Sequence, residues 1–466
     1  MNKTDSLRFY GGTAGALAPF GVFLTGVAWL GLSGAPDERG FWPVLLAALA
    51  TGLLLARDRT AYAETAIAGM SQPIVMLMVM AWILAGVFGA VMNASGFIEA
   101  LTWVAAQLGL AGAGFVVASF LICCVVSTAT GTSLGTILLC SPLLYPVGGL
   151  HGANLPVLIG AIIGGATFGD NISPVSDTTI ASATTQEADL GGVVRSRLKY
   201  AFVAAGLALL GYLALGSAPQ GEAAAVAAVA TNAALPGDPR ALPMLLAPAL
   251  VLGLLLTRRH LVEGLMSGIA AAIAIGLALG LLAPGDLLYI DADNFIAAGL
   301  ILDGMERGVG VSLLTIMLMG LVAGLEASGI IDRVVASARR RIHSPRGAEI
   351  WIFGTVSAVV LLTTHSAVAI LTVGRFARET GEAFGIGRYR RANILDMTVC
   401  TYPFLLPFFI PTIITASTTA AGAEFDLPRI SAFEAGMYNF YSWALLGVVI
   451  VAIATGWGRR AASTTP

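Results

Sequence analysis

Asp170 and Asp177 stand seven residues apart in the stretch GGATFGDNISPVSDTTIASATT (164–185), where Ser173, Ser176, Thr178 and Thr179 supply hydroxyls and Asn171 an amide. Between Arg59 and Arg195 the chain holds no lysine or arginine, so neither acid has a basic neighbour in sequence. An ionised aspartate at the centre of a membrane helix costs about 2.5–3.5 kcal/mol on insertion scales, so an acid in such a place marks an ion or proton pathway. The bland alternative is capping, since Asp or Ser ahead of a helix accepts a bond from its first amides. The sharper reading is a cation site. Carboxylates, hydroxyls and the carbonyls freed where Gly169 and Pro174 interrupt the helix are the hard oxygen ligands that Na+ prefers, by analogy with calcium and magnesium. Two neighbouring acids also resist ionising together. A site that holds protons or a metal ion, and not both, exchanges one for the other, which makes Na+ at Asp170 and Asp177 the expected cargo.

A second polar break, STATGTSLGT (127–136), carries six hydroxyls and two glycines in ten residues. It suits the tip of a re-entrant hairpin presenting Thr130, Thr132 and Ser133; a stripe of small residues for helix packing is the competing reading. In the second half, TTHSAVAIL brings Thr364, His365 and Ser366 together. A histidine titrates near neutral pH and can carry a proton, although a lone one in an apolar span also serves as plain packing. Glu326 and Asp396 complete the second-half candidates. Asp396 lies in RRANILDMTVC close to Arg390 and Arg391, and ion pairing with them near the membrane interface is the expectation.

These residues need a scaffold, and composition says which kind. Of 466 residues 57% are hydrophobic and 11% charged, with a mean hydropathy of +0.85; a soluble domain carries about a quarter charged residues. The chain therefore reads as an all-α polytopic protein of a cell (inner) membrane, with 11 to 13 apolar passes, several broken by Gly, Pro, Ser or Thr. Such breaks are tolerated in a bilayer only against protein or a water-filled cavity. A net charge of -2 gives no sign of a nucleic-acid partner. Cys123, Cys124, Cys140 and Cys400 show no metal-ligand spacing and read as small core residues. There is no nucleophile elbow, P-loop or metal cluster, so the chain is not read as an enzyme, and no cofactor is expected beyond Na+ and H+ as transported ions.

The halves repeat. NASGFIEALTW (93–103) and EASGIIDRVVA (326–336) share their pattern at an offset of 233; STATGTS (127–133) falls opposite THSAVAI (364–370); and aligning the prolines sets ISPVSDTT (172–179) against FIPTIITA (409–416) at 237. The loop after Asn93 is free of basic residues, whereas its counterpart holds five arginines between 333 and 346. Cytoplasmic loops are the basic ones, so the copies are expected to be inverted, with the site at the midplane between broken helices. The basic clusters at 195–199, 258–259 and 375–391 are expected on the cytoplasmic side as well. The expected division is an N-terminal membrane helix (1–40), a first inverted repeat (41–195), connecting helices (196–258), a second inverted repeat (259–425) and a C-terminal membrane helix with its tail (426–466). The alanine-rich stretch 216–243 reads as an external connection.

TGTSLGT (130–136), followed by GATFGDNISPVSDTT (165–179), closely resembles the NhaC family of sodium/proton antiporters; RSRLKYAFVAA (195–205) fits the basic stretch that follows there, and LEASGIID and NFYSW match more loosely. The resemblance implies a sodium/proton antiporter of the ion-transporter superfamily, with a scaffold plus a transport domain, re-entrant hairpins, an elevator-like movement and a homodimer in membrane lipid. One departure stands out. Where many relatives carry an acid near TTHSAVAIL, this chain has His365 and Ser366. The alternative is a Na+- or H+-coupled transporter of a small organic anion or amino acid, bound between the TGTS and TTHS tips.

Overall fold

Apolar runs become helices wherever they exceed the length needed to satisfy their own backbone groups, which a bilayer demands. The computed structural model describes residues 7–32, 38–174, 176–218, 239–257, 259–291, 296–331, 333 and 342–459. Among them are nine helices long and apolar enough to cross a membrane, and three shorter apolar helices, Phe41–Leu55, Pro239–Leu254 and Phe440–Thr455. Large apolar side chains such as Val125, Leu210 and Leu246 stand exposed on the outside, as a lipid-facing surface requires. The protein is a multi-pass membrane protein. Most of the expected connection 216–243, and most of the arginine-rich loop after Asp332, lie outside the described residues.

The helices that matter for the site are α1 (Thr13–Leu32), α2 (Phe41–Leu55), α3 (Arg59–Met70), α4 (Pro73–Ala94), α5 (Phe97–Gln107), α6 (Gly112–Thr130), α7 (Ser133–Leu150), α8 (Leu155–Ile172), α9 (Asp177–Thr185) and α10 (Leu190–Leu215). In the second half they are α11 (Leu246–Leu256), α12 (Leu261–Ala278), α13 (Leu300–Ala327), α14 (Pro345–Thr363), α15 (Ser366–Ala383), α16 (Arg388–Val399), α17 (Ile410–Thr418) and α18 (Phe440–Thr455). A two-stranded hairpin, Tyr289–Asp291 with Ile296–Ala298, precedes α13.

Helix boundaries recur at one offset. α4 and α13 end at 94 and 327, α6 and α14 start at 112 and 345, α7 and α15 start at 133 and 366, α8 and α16 at 155 and 388, and α9 and α17 at 177 and 410. The difference is 233 each time. The pairings of STATGTS with THSAVAI and of ISPVSDTT with FIPTIITA, both at 237, are therefore corrected: Gly131 corresponds to Thr364, Asp177 to Ile410, and Asp170 to Pro403. The prolines misled because Pro174 sits in the break before α9, whereas Pro411 sits inside the first turn of α17.

Packing sorts the helices into two groups. α1–α4 gather around α13, with α12 against α4, while α6–α10 and α14–α18 form the other group. Within the second group the halves pack reciprocally: α9 lies against α15 and α16, and α17 lies against α7 and α8.

Candidate ion-binding site

Three breaks in regular helix meet at one cavity of about 300 Å³ between the two groups. The first lies between α6 and α7. Gly131, in the left-handed region (φ 70°), ends α6, and Thr132 returns to extended backbone (φ -139°, ψ 120°) and caps α7 by accepting from the Gly135 amide at 3.2 Å. The expected hairpin tip is this turn. Its hydroxyls do not all face one way: Ser127 donates to the Ala166 carbonyl and Thr128 to that of Cys124, while Thr130 Oγ1 is buried without a partner. Thr132 and Ser133 line the cavity.

The second break separates α8 from α9, and it places the acids. Asp170 lies in the last turn of α8 and is only 6% exposed. Its Oδ2 accepts from Ser133 Oγ at 2.8 Å and its Oδ1 from Ser176 Oγ at 2.6 Å; Ser176 and Thr178 hydroxyls are 3.0 Å apart. Among the described residues Asp170 makes no ion pair. Asp177 differs from the expectation of a second stranded acid: it is exposed at the first turn of α9, where it faces the cavity and accepts from the Thr178 amide at 2.8 Å. The helix dipole favours an anion there, which is why the acid sits comfortably at that position. Ser173 is buried at the end of α8.

The third break, between α14 and α15, repeats the first. Thr364 takes the left-handed place of Gly131 (φ 53°), His365 the extended place of Thr132 (φ -132°, ψ 118°), and Ser366 that of Ser133. All three line the cavity, with Ser366 Oγ donating to the Val399 carbonyl. The far wall is apolar, from Leu77, Met78 and Trp82 of α4, Leu261 of α12, and Phe404 and Ile410 beyond α16.

Asn171 and Thr179 belong to a layer behind the acids and do not line the cavity. Asn171 Nδ2 donates to Asp396 Oδ1 at 3.0 Å, and Thr179 Oγ1 accepts from Arg197 at 3.0 Å. Asp396 corrects the expectation most clearly. It is fully buried, not interfacial, and its partner is Arg197, with Nη1 2.9 Å from Oδ2; Ser182 Oγ adds a bond at 3.1 Å. Arg390 pairs instead with Glu349, and Arg391 with Glu382 and Gln186. Arg197 also donates to Asn393 and to the carbonyl of Asn171. It was read as one member of a cytoplasmic basic cluster, and nothing local in RSRLK distinguishes the buried arginine from its solvated neighbours. Glu326, in the last turn of α13, is half-buried and outside the cavity wall.

A protein-family model, the Na+/H+ antiporter family, matches residues 17–217. Curated relatives match shorter stretches. The chain is 39% identical over 84 residues to the malate-2H+/Na+-lactate antiporter of Bacillus subtilis, covering 18% of each protein. It is 34% identical over 96 residues to the Na+/H+ antiporter NhaC of Alkalihalophilus pseudofirmus (21% of each) and 33% identical over 102 residues to NhaC of Bacillus subtilis (22% of each). These alignments span about a fifth of each relative's length. Among solved structures, the YdaH transporter of Alcanivorax borkumensis is 15% identical with a TM-score of 0.38, over 87% of this chain and 91% of that one. The matched stretch, residues 17–217, holds both Asp170 and Asp177 and is similar to the Na+/H+ antiporter family.

Proposed function

We propose that the chain is a secondary active transporter exchanging Na+ for H+ at Asp170 and Asp177. The observation that carries this is the state of Asp170: a carboxylate 6% exposed, bonded by two serine hydroxyls, without a cationic side chain, at the edge of a cavity. A buried carboxylate without a countercharge is costly. A metal ion supplies that charge from one side of the membrane and a proton removes the need for it on the other. Ser133, Ser176 and Thr178 can turn their hydroxyl oxygens toward a bound cation, and Asp177 offers the second carboxylate across the break.

Alternating access is part of the same reading. It is supported by the reciprocal packing of α9 and α17, as a two-fold relation between halves would give, and by the arginines between 333 and 346, which the positive-inside rule assigns to the cytoplasmic side, as inverted copies require. The group holding the hairpin tips then moves as a body against α4, α12 and α13, carrying the site from one face to the other. Movement with the site loaded, and not with it empty and charged, keeps the exchange coupled. The test is sodium-induced proton release in everted membrane vesicles, run across sodium, lithium and potassium. Asp170→Asn and Asp177→Asn are expected to reduce it; unchanged release in both variants refutes the assignment.

A further inference from the structure

Residues along α4 meet two spaces in turn. Leu77, Met78 and Trp82 line the cavity that holds Asp170, whereas Trp82, Gly86 and Gly89 line a crevice of about 60 Å³ between α4 and α13 on one side and α7 and α17 on the other. Trp82 and Leu138 of α7 line both, and so stand between them. Asn93 lies past the crevice, about 16 Å beyond Trp82 at 1.5 Å per residue. The sides of the membrane follow from charge. Gly304 meets Val87 and Gly308 meets Ile83, so α13 runs antiparallel to α4 and ends, at Ala327, on the side where α4 begins. The arginines between 333 and 346 follow that end, which makes it cytoplasmic. The cavity is therefore on the cytoplasmic side of Trp82, and Leu261, two residues after the well-exposed Arg259, also lines it. The crevice and Asn93 are on the outer side.

At that outer end one acid ties the two groups of helices together. Glu424 lies in the turn Thr419–Phe425 that follows α17. Its Oε1 accepts from Arg307 of α13 at 3.4 Å and its Oε2 from Asn93 Nδ2 of α4 at 3.2 Å, while Asn93 also donates to the Ala421 carbonyl at 3.4 Å. Arg307 and Asn93 belong to one rigid unit, because α4 and α13 touch backbone to backbone: a Cβ on Gly86 would lie 2.1 Å from the Gly304 carbonyl oxygen. The side chains of Arg307 and Glu424 are 34% and 54% exposed. A pair open to water is weak and easily parted, whereas breaking a buried pair is costly. A contact made and broken in every transport cycle must be of the weak kind. The inner face has no equivalent, since at the offset of 233 Asn93, Arg307 and Glu424 correspond to Glu326, Ile74 and Gly191, which cannot form these bonds.

We infer that Glu424 is an outer latch: bonded to Arg307 and Asn93, it holds the turn after α17 against α4 and α13 and keeps the chain closed to the outside while the ion cavity faces the cytoplasm, with Trp82 and Leu138 as the apolar plug beneath it. Release of Glu424 frees the group that carries the hairpin tips to expose the site on the outer side. The inference rests on the proposed alternating access and does not depend on which ion is carried.

The test places a reporter at the plug, Leu138→Cys, in the full-length chain and labels it with a charged, membrane-impermeant methanethiosulfonate. Everted vesicles present the cytoplasmic face to the reagent and right-side-out vesicles the outer face; the four native cysteines are buried, and the chain without the reporter gives the background. Labelling is expected to be about tenfold or more faster from the cytoplasmic face, the outward state being the minor one. Arg307→Glu, which turns attraction into repulsion, is expected to raise the outer rate about threefold or more, and adding Glu424→Arg, which restores the pair with its signs exchanged, to return it to within about twofold of the starting value. Equal rates from the two faces, an outer rate unchanged in Arg307→Glu, or one that stays high in the double variant overturns the inference. The labelling needs no transport: a wild type without sodium-induced proton release refutes the antiport reading, and these rates still decide the latch.

Discussion

Replacing Asp170 by asparagine separates charge from shape. The side chains are nearly isosteric, and the amide oxygen still accepts from one serine while the amide nitrogen donates to the other, whose hydroxyl turns to accept. Ser133 and Ser176, at 2.8 and 2.6 Å, are close enough for both exchanges. Folding therefore survives, and what disappears is the negative charge facing the cavity. Removing one partner of a buried charge pair costs about 3–5 kcal/mol. At about 1.4 kcal/mol per decade this is two to four orders of magnitude in sodium affinity. A second signature comes from competition. In the proposed exchange protons and sodium claim the same carboxylate, so acid is expected to weaken sodium binding: the apparent sodium constant of the wild type should rise about tenfold per unit fall in pH where one carboxylate takes up a proton, and about a hundredfold where both do. In Asp170→Asn that dependence flattens, since the competing group is gone. Dye-reported proton release in everted vesicles, titrated with sodium at several pH values, reads both effects. A variant whose sodium constant stays within about threefold of wild type, with the same pH dependence, refutes the reasoning.

Asp177→Asn is expected to lose at most about tenfold in the same assay, because an exposed charge is screened and worth no more than about 1 kcal/mol. Arg197→Met leaves Asp396 charged and fully buried, at a cost of about 3–5 kcal/mol; the double variant Arg197→Met with Asp396→Leu recovers most of it, and fluorescence-detected thermal unfolding in detergent reads the difference, with simple additivity counting against the pair. Gly169→Ala places a methyl group 2.3 Å from the Thr128 amide nitrogen, forcing α6 from α8 one residue before Asp170; overpacking of about 1–3 kcal/mol should lower the unfolding midpoint, and a midpoint equal to wild type would show that the backbones yield freely.

Periodic information survived the passage from sequence to fold, and spatial information did not. The A-S-G pair at 93–103 and 326–336 carries the offset of 233 that the helix boundaries follow, whereas the hydroxyl-rich tips, aligned as 127–133 against 364–370, were set four residues out of it. The acids at 170 and 177 announce themselves because membrane acids without basic neighbours are rare. Asp396 was misjudged for a geometric reason. Arg390 and Arg391 lie six and five residues before it on one helix, a spacing that places them on other faces, whereas only neighbours three or four apart meet. Its true partner comes from 199 positions away, on α10. The exposure of Asp177 was equally hidden, since a position at the first turn of a helix does not reveal which side of that turn meets the cavity.

The ion pair behind the site completes the electrostatic argument. A buried salt bridge is weak evidence for stability, because desolvating two ions cancels much of their attraction. Its value here is positional. Arg197 reaches the carbonyl of Asn171, the hydroxyl of Thr179 and the carboxylate of Asp396, so a single guanidinium joins both ends of the α8–α9 break to α16 of the other half. Its five donors in a rigid fork suit it to that task in a way that a lysine would not. Because Arg197 and Asp396 neutralise each other, the layer adds no net charge behind Asp170. The cavity then feels its own two acids, one buried and one open, and a cation entering it is drawn to the break that Arg197 holds in shape.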